Sequence, residues 1–358
     1  MIHMKEKKIT VVDLFSGCGG LSKGFMDAGY DVILGVDHEA TALETFKLNH
    51  GNSQALLLDL FESKSVDEIK KALKGTRPDI VVGGPPCQGF SLTGTRNFDD
   101  KRNRLYLAMI ETVRELKPKA FLVENVPGLA RLYGGEVKDE IIKRFTELGY
   151  NVKMKILCAA DYGVPQMRKR VVFVGLKKGL GEFEFPSPVL TPDKYITASE
   201  AISDLQSRKE EQGKEEDEYV SIPKSAYQKK MRGKQKVLFN HVGTNHTELV
   251  KSIISQVPEG GNHKDLPKGV GDNRKFNEAW TRYHSNKPSR TIDTGHRNHF
   301  HYKHNRVPTV RENARLQSFP DDFKFVGTRT SQNRQVGNAV PPLLGYNIAK
   351  QLLKYLKP

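Results

Sequence analysis

The sequence predicts an α/β protein: a doubly wound, mostly parallel sheet joined to a second, smaller, loop-rich domain. Three observations carry this. Over the first 175 residues, strand-like apolar runs alternate with helix-like segments on short links, as in strand–helix–strand units. After Gly175 the alternation stops, and Pro186, Pro188, Pro192, Pro223, Pro258, Pro267 and Pro288 interrupt every period. The charge divides at the same place: 26 basic against 22 acidic side chains before it, 31 against 20 after it.

The elements follow in order. Ile9–Phe15 is a short apolar run ending in a glycine cluster, and Gly19–Ala28 forms a helix closed by Gly29. Val32–Val36 is a second strand with Asp37 at its end. Glu39–Asn49 has helical spacing at Ala42, Leu43 and Phe46 and stops at His50-Gly51. Ala55–Leu58 is a strand ending at Asp59. Val66–Leu73 (helix), Ile80–Val82 (strand), Leu105–Leu116 (helix), Ala120–Val123 (strand) and Asp139–Leu148 (helix) continue the alternation. Val152–Leu157 and Val171–Val174 are two further strands, and Pro342–Leu356 is a terminal helix, apolar at Leu343, Leu344, Ile348, Leu352 and Leu356. The expected domains are 1–178 plus 335–358, and 179–334.

Length and composition exclude several classes. At roughly 150 residues per domain, 358 residues mean two domains or one large one. No apolar run approaches the ~18 residues of a membrane span, and the charged N-terminus lacks the pattern of a signal peptide. Cys18, Cys87 and Cys158, 69 and 71 residues apart, suit neither a disulfide framework nor a CxxC zinc site. A reducing cytoplasm fits. The net charge of +15 resides mainly in the second half, where Lys224–Lys236 holds six basic residues and no acid. That points to a polyanionic partner, most simply nucleic acid, against the plainer reading of solubility.

Two clusters carry candidate chemistry. Asp13-Leu-Phe-Ser-Gly-Cys-Gly-Gly-Leu21 lies where the first strand turns into a helix, and glycines there let the backbone approach a ligand. The GxGxxG fingerprint is only partly met: Gly17 and Gly19 fit, but the sixth position is Ser22. Asp37 is placed to accept ribose hydroxyls and Asp59 an adenine amino group. An adenosine ligand without phosphates, such as S-adenosylmethionine, suits this looser pattern; a merely tight turn is the alternative. Gly83-Gly-Pro-Pro-Cys-Gln-Gly-Phe-Ser91 follows the fourth strand, so Cys87 sits on a stiff loop at the sheet's carboxyl edge. It is either a small buried thiol or a nucleophile. Glu124 ends the neighbouring strand, as a solvated strand end or a proton donor and acceptor. Alternation places Arg168 and Arg170 on one face, reaching a phosphate or a carbonyl, or lying in a solvated turn.

Asp13–Gly20, Gly84–Ser91, Glu124–Val126, Gln166–Arg170, Arg311–Phe323 and Gln335–Pro342 together resemble, in order, the blocks of cytosine-5 DNA methyltransferases of the bacterial restriction-modification type. The resemblance spans nearly the whole chain apart from its basic middle. Related amino-methyltransferases carry an aromatic residue where Cys87 stands, so attack on a ring carbon is implied. The resemblance implies that Cys87 adds to C6 of cytosine, making C5 nucleophilic. Glu124 then engages N3 and the exocyclic amine, Asn125 supports it, and Arg168 and Arg170 bind the target nucleotide and its phosphate. For the cofactor it implies Phe15 beside adenine, with Ser16, Gly17, Gly19, Gly20 and Leu21 lining the ligand. Asp37 takes the ribose, and His38 stands where an aromatic residue is usual. Asp59 and Leu60 lie at the adenine, Pro86 fixes the loop, and Asn338, Ala339 and Val340 return to the amino-acid end.

C5 and C6 are stacked within a duplex, so the target base must be extruded. Ser91–Arg104 resembles the family's mobile loop that closes over it. The basic middle, 180–305, is then the target-recognition region on double-stranded DNA. His296, His299, His301 and His304 lack zinc spacing and are read as a DNA-facing strand or loop, with no metal. The implied context is a cytoplasmic, nucleoid-associated monomer, with a cognate restriction endonuclease acting on the same site. Three alternatives compete. A nicotinamide dehydrogenase wants a fuller GxGxxG, and an inactive DNA-binding module would lack Cys87 or Glu124. A tRNA cytosine-5 methyltransferase is disfavoured by the basic insert of about 125 residues.

Overall fold

The computed structural model describes residues 8–86, 104–208, 211–270, 279–295 and 298–356. Cys87, residues 91–103 of the expected mobile loop and His296 lie outside the described residues. Two compact units divide the chain: Met1–Cys158 with Lys169–Ser187 and Leu344–Pro358, and Ala159–Arg168 with Pro188–Leu343. Residues 159–168 and 335–343, expected with the first domain, thus cluster with the second unit.

The strands along the first part of the chain are β1 (Thr10–Leu14), β2 (Asp31–Asp37), β3 (Gln54–Leu57), β4 (Ile80–Gly83), β5 (Ala120–Asn125), β6 (Tyr150–Cys158), the two-residue β7 (Gln166–Met167) and β8 (Lys169–Lys177). Helices α1 (Gly20–Asp27), α2 (Ala40–Asn49), α3 (Ser65–Leu73), α4 (Arg104–Leu116) and α5 (Glu136–Glu147) alternate with them. In the first unit seven strands form one sheet, ordered β3-β2-β1-β4-β5-β8-β6. All pairings are parallel except those of β8, which runs antiparallel to both β5 and β6. Val11 to Leu14 of β1 and all of β4 and β5 are buried on both faces, as central strands under two helical layers must be. Val12, Leu14, Val81, Phe121, Val123, Met109, Val113, Ile141 and Phe145 make the core, with Phe121 stacked on Phe145 at 3.9 Å.

Element types follow the sequence, while ends move. Strands expected at Val152–Leu157 and Val171–Val174 extend to nine residues each, because β6 and β8 pair along their whole length. Lys153 and Lys155 on the β6 edge hide that continuity from an apolar pattern. The helix expected at Asp139–Leu148 begins at Glu136, after Gly135 in the left-handed region.

The second unit is built from short pieces: α6 (Ala198–Ile202), β9 (Glu216–Glu218), α7 (Ala226–Arg232), β10 (Val237–Phe239), α8 (Glu248–Gln256), β11 (Thr281–Arg282), β12 (Ser289–Arg290), β13 (His299–Phe300), α9 (Val310–Leu316) and α10 (Arg329–Asn338). Its strands pair only as two-stranded ribbons, β9–β10, β11–β13 and β7–β12. Helices this short are marginal alone. Complete capping boxes at Thr197/Glu200, Ser225/Gln228 and Thr309/Glu312 satisfy their first N–H groups. Helix α11 (Pro342–Leu356) closes the chain; in the first unit its Ala349 carbonyl accepts from the Tyr30 hydroxyl at 2.9 Å. Among the described residues no helix is long and apolar enough to cross a membrane.

Candidate active site

The parallel strands of the first unit bring five strand ends to one edge of the sheet. The order reverses between β1 and β4, and ligands of such sheets bind in the crevice at that switch. On one side of it lie the ends of β1, β2 and β3, with the cofactor candidates. On the other lie the ends of β4 and β5, with the chemical candidates.

After β1 the chain turns sharply. Phe15 (φ 57°), Gly17 (φ 53°) and Gly19 (φ 91°) all occupy the left-handed region. The Gly19 N–H closes the turn on the Ser16 carbonyl at 2.8 Å, and the Ser16 N–H reaches Val36 of β2 at 3.0 Å. Asp37 anchors the loop: its Oδ2 accepts from the Gly17 N–H at 2.8 Å and its Oδ1 from the Glu39 N–H at 2.9 Å. The sequence assigns Asp37 to a ligand, and the structure gives it a scaffolding task as well. His38 is exposed, with Nδ1 3.4 Å from Asp37 Oδ1. The Leu58 N–H donates to the Asp37 carbonyl, so Asp59 emerges exposed just past β3 while Leu60 is buried. Leu21 is buried, and Phe15 is half-buried.

Beneath the loop sit two groups that the sequence did not single out. Asp13 is buried and accepts the Ser22 hydroxyl at 2.6 Å. Burial pushes its carboxyl up to about 7, against the Ser22 hydrogen bond and with help from the Asp37 charge. His50, read only as a helix stop, lies buried against Gly19. Burial pushes the Cys18 thiol up to about 12, which leaves it protonated and inert.

On the other side, β4 and β5 run in register with Gly83 opposite Val123. Gly84 and Glu124 are therefore neighbours, and a Cβ on Gly84 would stand 3.3 Å from Glu124 Oε2. Asn125 Nδ2 donates to the Pro85 carbonyl at 2.8 Å and its Oδ1 accepts from the Val126 N–H at 2.8 Å, pinning the proline loop to β5. Pro86 is exposed, immediately before Cys87. Glu124 is no solvated strand end. Its Oε1 lies 2.9 Å from Arg170 Nε, with both side chains about one-tenth exposed. Burial draws the Arg170 guanidinium below its usual range, opposed by the Glu124 charge.

Arg168 and Arg170 do not share a face. The backbone folds between β7 and β8, where the Arg168 N–H bonds the Gln166 carbonyl at 2.9 Å. Arg170 stays on the sheet, whereas Arg168 is buried in the second unit, donating to the carbonyls of Ile292 (3.3 Å) and Gly337 (3.0 Å). Asn338 ends α10 and is exposed, followed by half-buried Ala339 and buried Val340. Gln317 holds that turn by donating to Val336 (3.1 Å) and Ala339 (2.7 Å).

The block 311–323 is structural in the second unit. Arg315 grips both Asp321 oxygens at 2.9 and 2.7 Å and also contacts Asp204, all fully buried. Arg306 binds Glu312 bidentately at 2.8 and 2.6 Å. His299 and His301 are buried rather than presented on the surface. His299 stacks on Tyr283, and His301 Nδ1 accepts from the N–H groups of Lys303 and His304. Among the described residues no group of three or more His, Cys, Asp or Glu is arranged to hold a metal.

Comparison with known proteins agrees with this architecture. The sequence profile of the C-5 cytosine-specific DNA methylases matches residues 9–354. The Type II methyltransferase M1.HphI of Haemophilus parahaemolyticus is 41% identical over 353 residues, covering 97% of this chain and 87% of that protein. M.DdeI of Desulfomicrobium norvegicum is 35% identical, covering 98% and 89%. Among solved structures, a proposed DNA modification methyltransferase encoded within an E. coli prophage superposes with a TM-score of 0.79 at 29% identity. That match covers 98% of this chain and all of the other. With this profile over nearly its whole length and relatives this similar along it, the chain belongs to the C-5 cytosine-specific DNA methylase family.

Proposed function

We propose that this enzyme is a Type II methyltransferase of a restriction-modification system. It transfers a methyl group from S-adenosylmethionine to C5 of one cytosine in a specific duplex DNA sequence, through a transient bond between Cys87 and C6. The observation that carries this reading is the juxtaposition at one sheet edge. A glycine loop tied to Asp37 lies on one side of the switch point, and the buried Glu124–Arg170 pair lies on the other, beside the prolines that lead into Cys87.

The loop fits an adenosyl ligand that carries no phosphate. Open space faces the Cβ position of Gly17, no basic side chain stands between Asp13 and Ser22, and Asp37 and Asp59 supply acceptors for ribose and adenine. Phe15, Ser16, Gly17, Gly19, Gly20, Leu21, Asp37, His38, Asp59 and Leu60 would hold it, with Pro86 at its edge. When bound, S-adenosylmethionine supplies an electrophilic sulfonium methyl.

The chain's own residues prepare the base. The Cys87 sulfur bonds C6, the C5–C6 electron pair becomes available at C5, and Glu124 hydrogen-bonds N3 and the exocyclic amine as charge builds on the ring. Arg170 holds the Glu124 carboxylate in one orientation. Loss of the C5 proton then expels the Cys87 thiolate and restores the double bond. The base is extruded from the duplex to reach this edge. The basic side chains of 179–334 hold phosphates, and other side chains there read base edges. The enzyme acts as a cytoplasmic monomer on nucleoid DNA, at a sequence shared with a restriction endonuclease.

The test uses tritiated S-adenosylmethionine, a mixed-sequence duplex, tRNA, and a duplex carrying 5-fluorocytosine. Label is expected in the duplex, with a denaturation-resistant complex on the fluorinated DNA. Cys87→Ser is expected to abolish both while cofactor and DNA binding persist. Label in tRNA instead, or full activity of Cys87→Ser, overturns the reading.

A further inference from the structure

We infer that His50 is a positioning residue for the cofactor loop, and that its hydrogen bond to the Gly19 carbonyl is what sets cofactor affinity. This rests on the proposed S-adenosylmethionine site. His50 is 1% exposed and follows α2, four residues before β3 begins. Its Nδ1 lies 2.7 Å from the Phe46 carbonyl, the last turn of its own helix. Its Nε2 lies 3.0 Å from the carbonyl of Gly19, at the start of α1. One ring therefore joins the end of α2 to the loop that carries Gly17.

The surroundings are cut to admit that ring. It stacks on Phe46 at 4.2 Å and 9°. Phe46 in turn lies flat on Gly35 of β2, where a Cβ would fall 2.4 Å from the ring. A Cβ on Gly19 would fall 2.2 Å from His50 Cε1. The glycine in this motif is thus required by its left-handed backbone and by the imidazole pressed against it. The histidine's own backbone is fixed too: its carbonyl accepts from the Ser53 N–H (3.1 Å) and hydroxyl (2.9 Å), and that hydroxyl also binds the Val32 carbonyl of β2.

This arrangement holds the loop from behind while Asp37 holds it from the front through Gly17. A carbonyl fixed at Gly19 fixes the peptide plane to Gly20 and hence the direction of the N–H groups that open α1. Loss of this one bond is expected to leave the sheet intact and to let the loop sample orientations that do not bind.

Buried and neutral, the ring carries one N–H, placed here on Nε2 and donating to Gly19; two amides separate this bond from the Nδ1 contact with Phe46. In His50→Asn the side-chain nitrogen corresponds to Nδ1, so it reaches only the Phe46 carbonyl and the loop tether is lost. In His50→Gln it corresponds to Nε2, so the loop tether survives. Equilibrium dialysis of labelled S-adenosylmethionine against wild type and both variants, with melting temperatures, tests this. His50→Asn is expected to weaken binding by about 3- to 10-fold, the worth of one hydrogen bond. It is expected to raise KM for S-adenosylmethionine by the same factor while leaving kcat and KM for DNA unchanged. His50→Gln is expected to stay within about 2-fold of wild type at a similar melting temperature. Equal affinities in all three proteins overturn the assignment, as does equal weakening in both variants, which would mean that ring packing alone matters. A wild type that binds no S-adenosylmethionine overturns the cofactor reading itself.

Discussion

Arg170 Nε lies 2.9 Å from Glu124 Oε1 across the antiparallel pairing of β8 with β5, where Glu124 stands opposite Val172. The pair is nearly buried, so neither charge is well solvated and each depends on the other. β8 is also the one strand that runs against the rest of the sheet, and this reversal delivers Arg170 to the tip of β5. The Glu124 carboxylate, proposed to hydrogen-bond a base edge, is thereby held in one orientation.

Glu124→Gln is expected to fold and to lose at least about 100-fold in single-turnover methylation, because it removes the charge and the ionisable proton while leaving only an amide at the proposed base edge. Arg170→Ala is expected to lose activity and also to cost about 3 kcal/mol of stability, since it strands a nearly buried carboxylate. Single-turnover rates set beside denaturant midpoints separate the two effects. Wild-type rates in Glu124→Gln would remove this carboxylate from the mechanism.

Gly337 is expected to tolerate no side chain. A Cβ there would fall 2.2 Å from the Asp293 carbonyl oxygen, a main-chain atom that cannot swing aside. Gly337→Ala should destabilise the protein by about 1–3 kcal/mol. Gly128→Ala, with nothing within 4 Å of its Cβ, should be near neutral. Urea midpoints of the two variants check this.

Acid should unfold the second unit early. Burial holds His241 down to about 4 and His301 down to about 3, with the Glu312 charge opposing in both. Unfolded histidine titrates near 6.5, so the unfolded chain binds more protons in this window. Stability is expected to be full above pH 6.5 and to fall steadily as the pH drops toward 4. By pH 4 the loss is about 3 kcal/mol for each of the two histidines. Melting temperatures between pH 8 and pH 4 measure it, and a flat profile from pH 6.5 to pH 5 would contradict it.

DNA affinity should fall steeply with salt through counterion release. Lys229 and Lys230 are exposed on α7 within a run of six basic residues that contains no acid. Neutralising both to Gln is expected to flatten the slope of log affinity against log salt by about 2 if each contacts a phosphate. An unchanged slope would place the DNA elsewhere on the unit.

Much was legible in the chain alone. Alternating apolar runs and glycine stops identified each strand and helix of the first unit, because central parallel strands are buried on both faces and leave unbroken apolar runs. Motif order pointed to Asp13–Leu21, Cys87, Glu124 and Asn125 as candidate chemistry, and it identified the family. What needed the tertiary structure was partnership. Arg168 and Arg170 are two residues apart, yet one belongs to each unit, because a backbone fold between β7 and β8 overrides alternation. Asp37 reads as a ligand acceptor, yet its carboxylate also grips the Gly17 N–H. Arg311, Glu312, Arg315 and Asp321 read only as part of a motif block, yet they form a buried ionic core that only contacts distant in sequence, such as Arg315 to Asp204, can satisfy. His50 reads as a helix stop until folding lays it against Gly19. Local sequence sets the period and the breaks, whereas which polar group meets which is decided only when strands far apart in the chain are packed side by side.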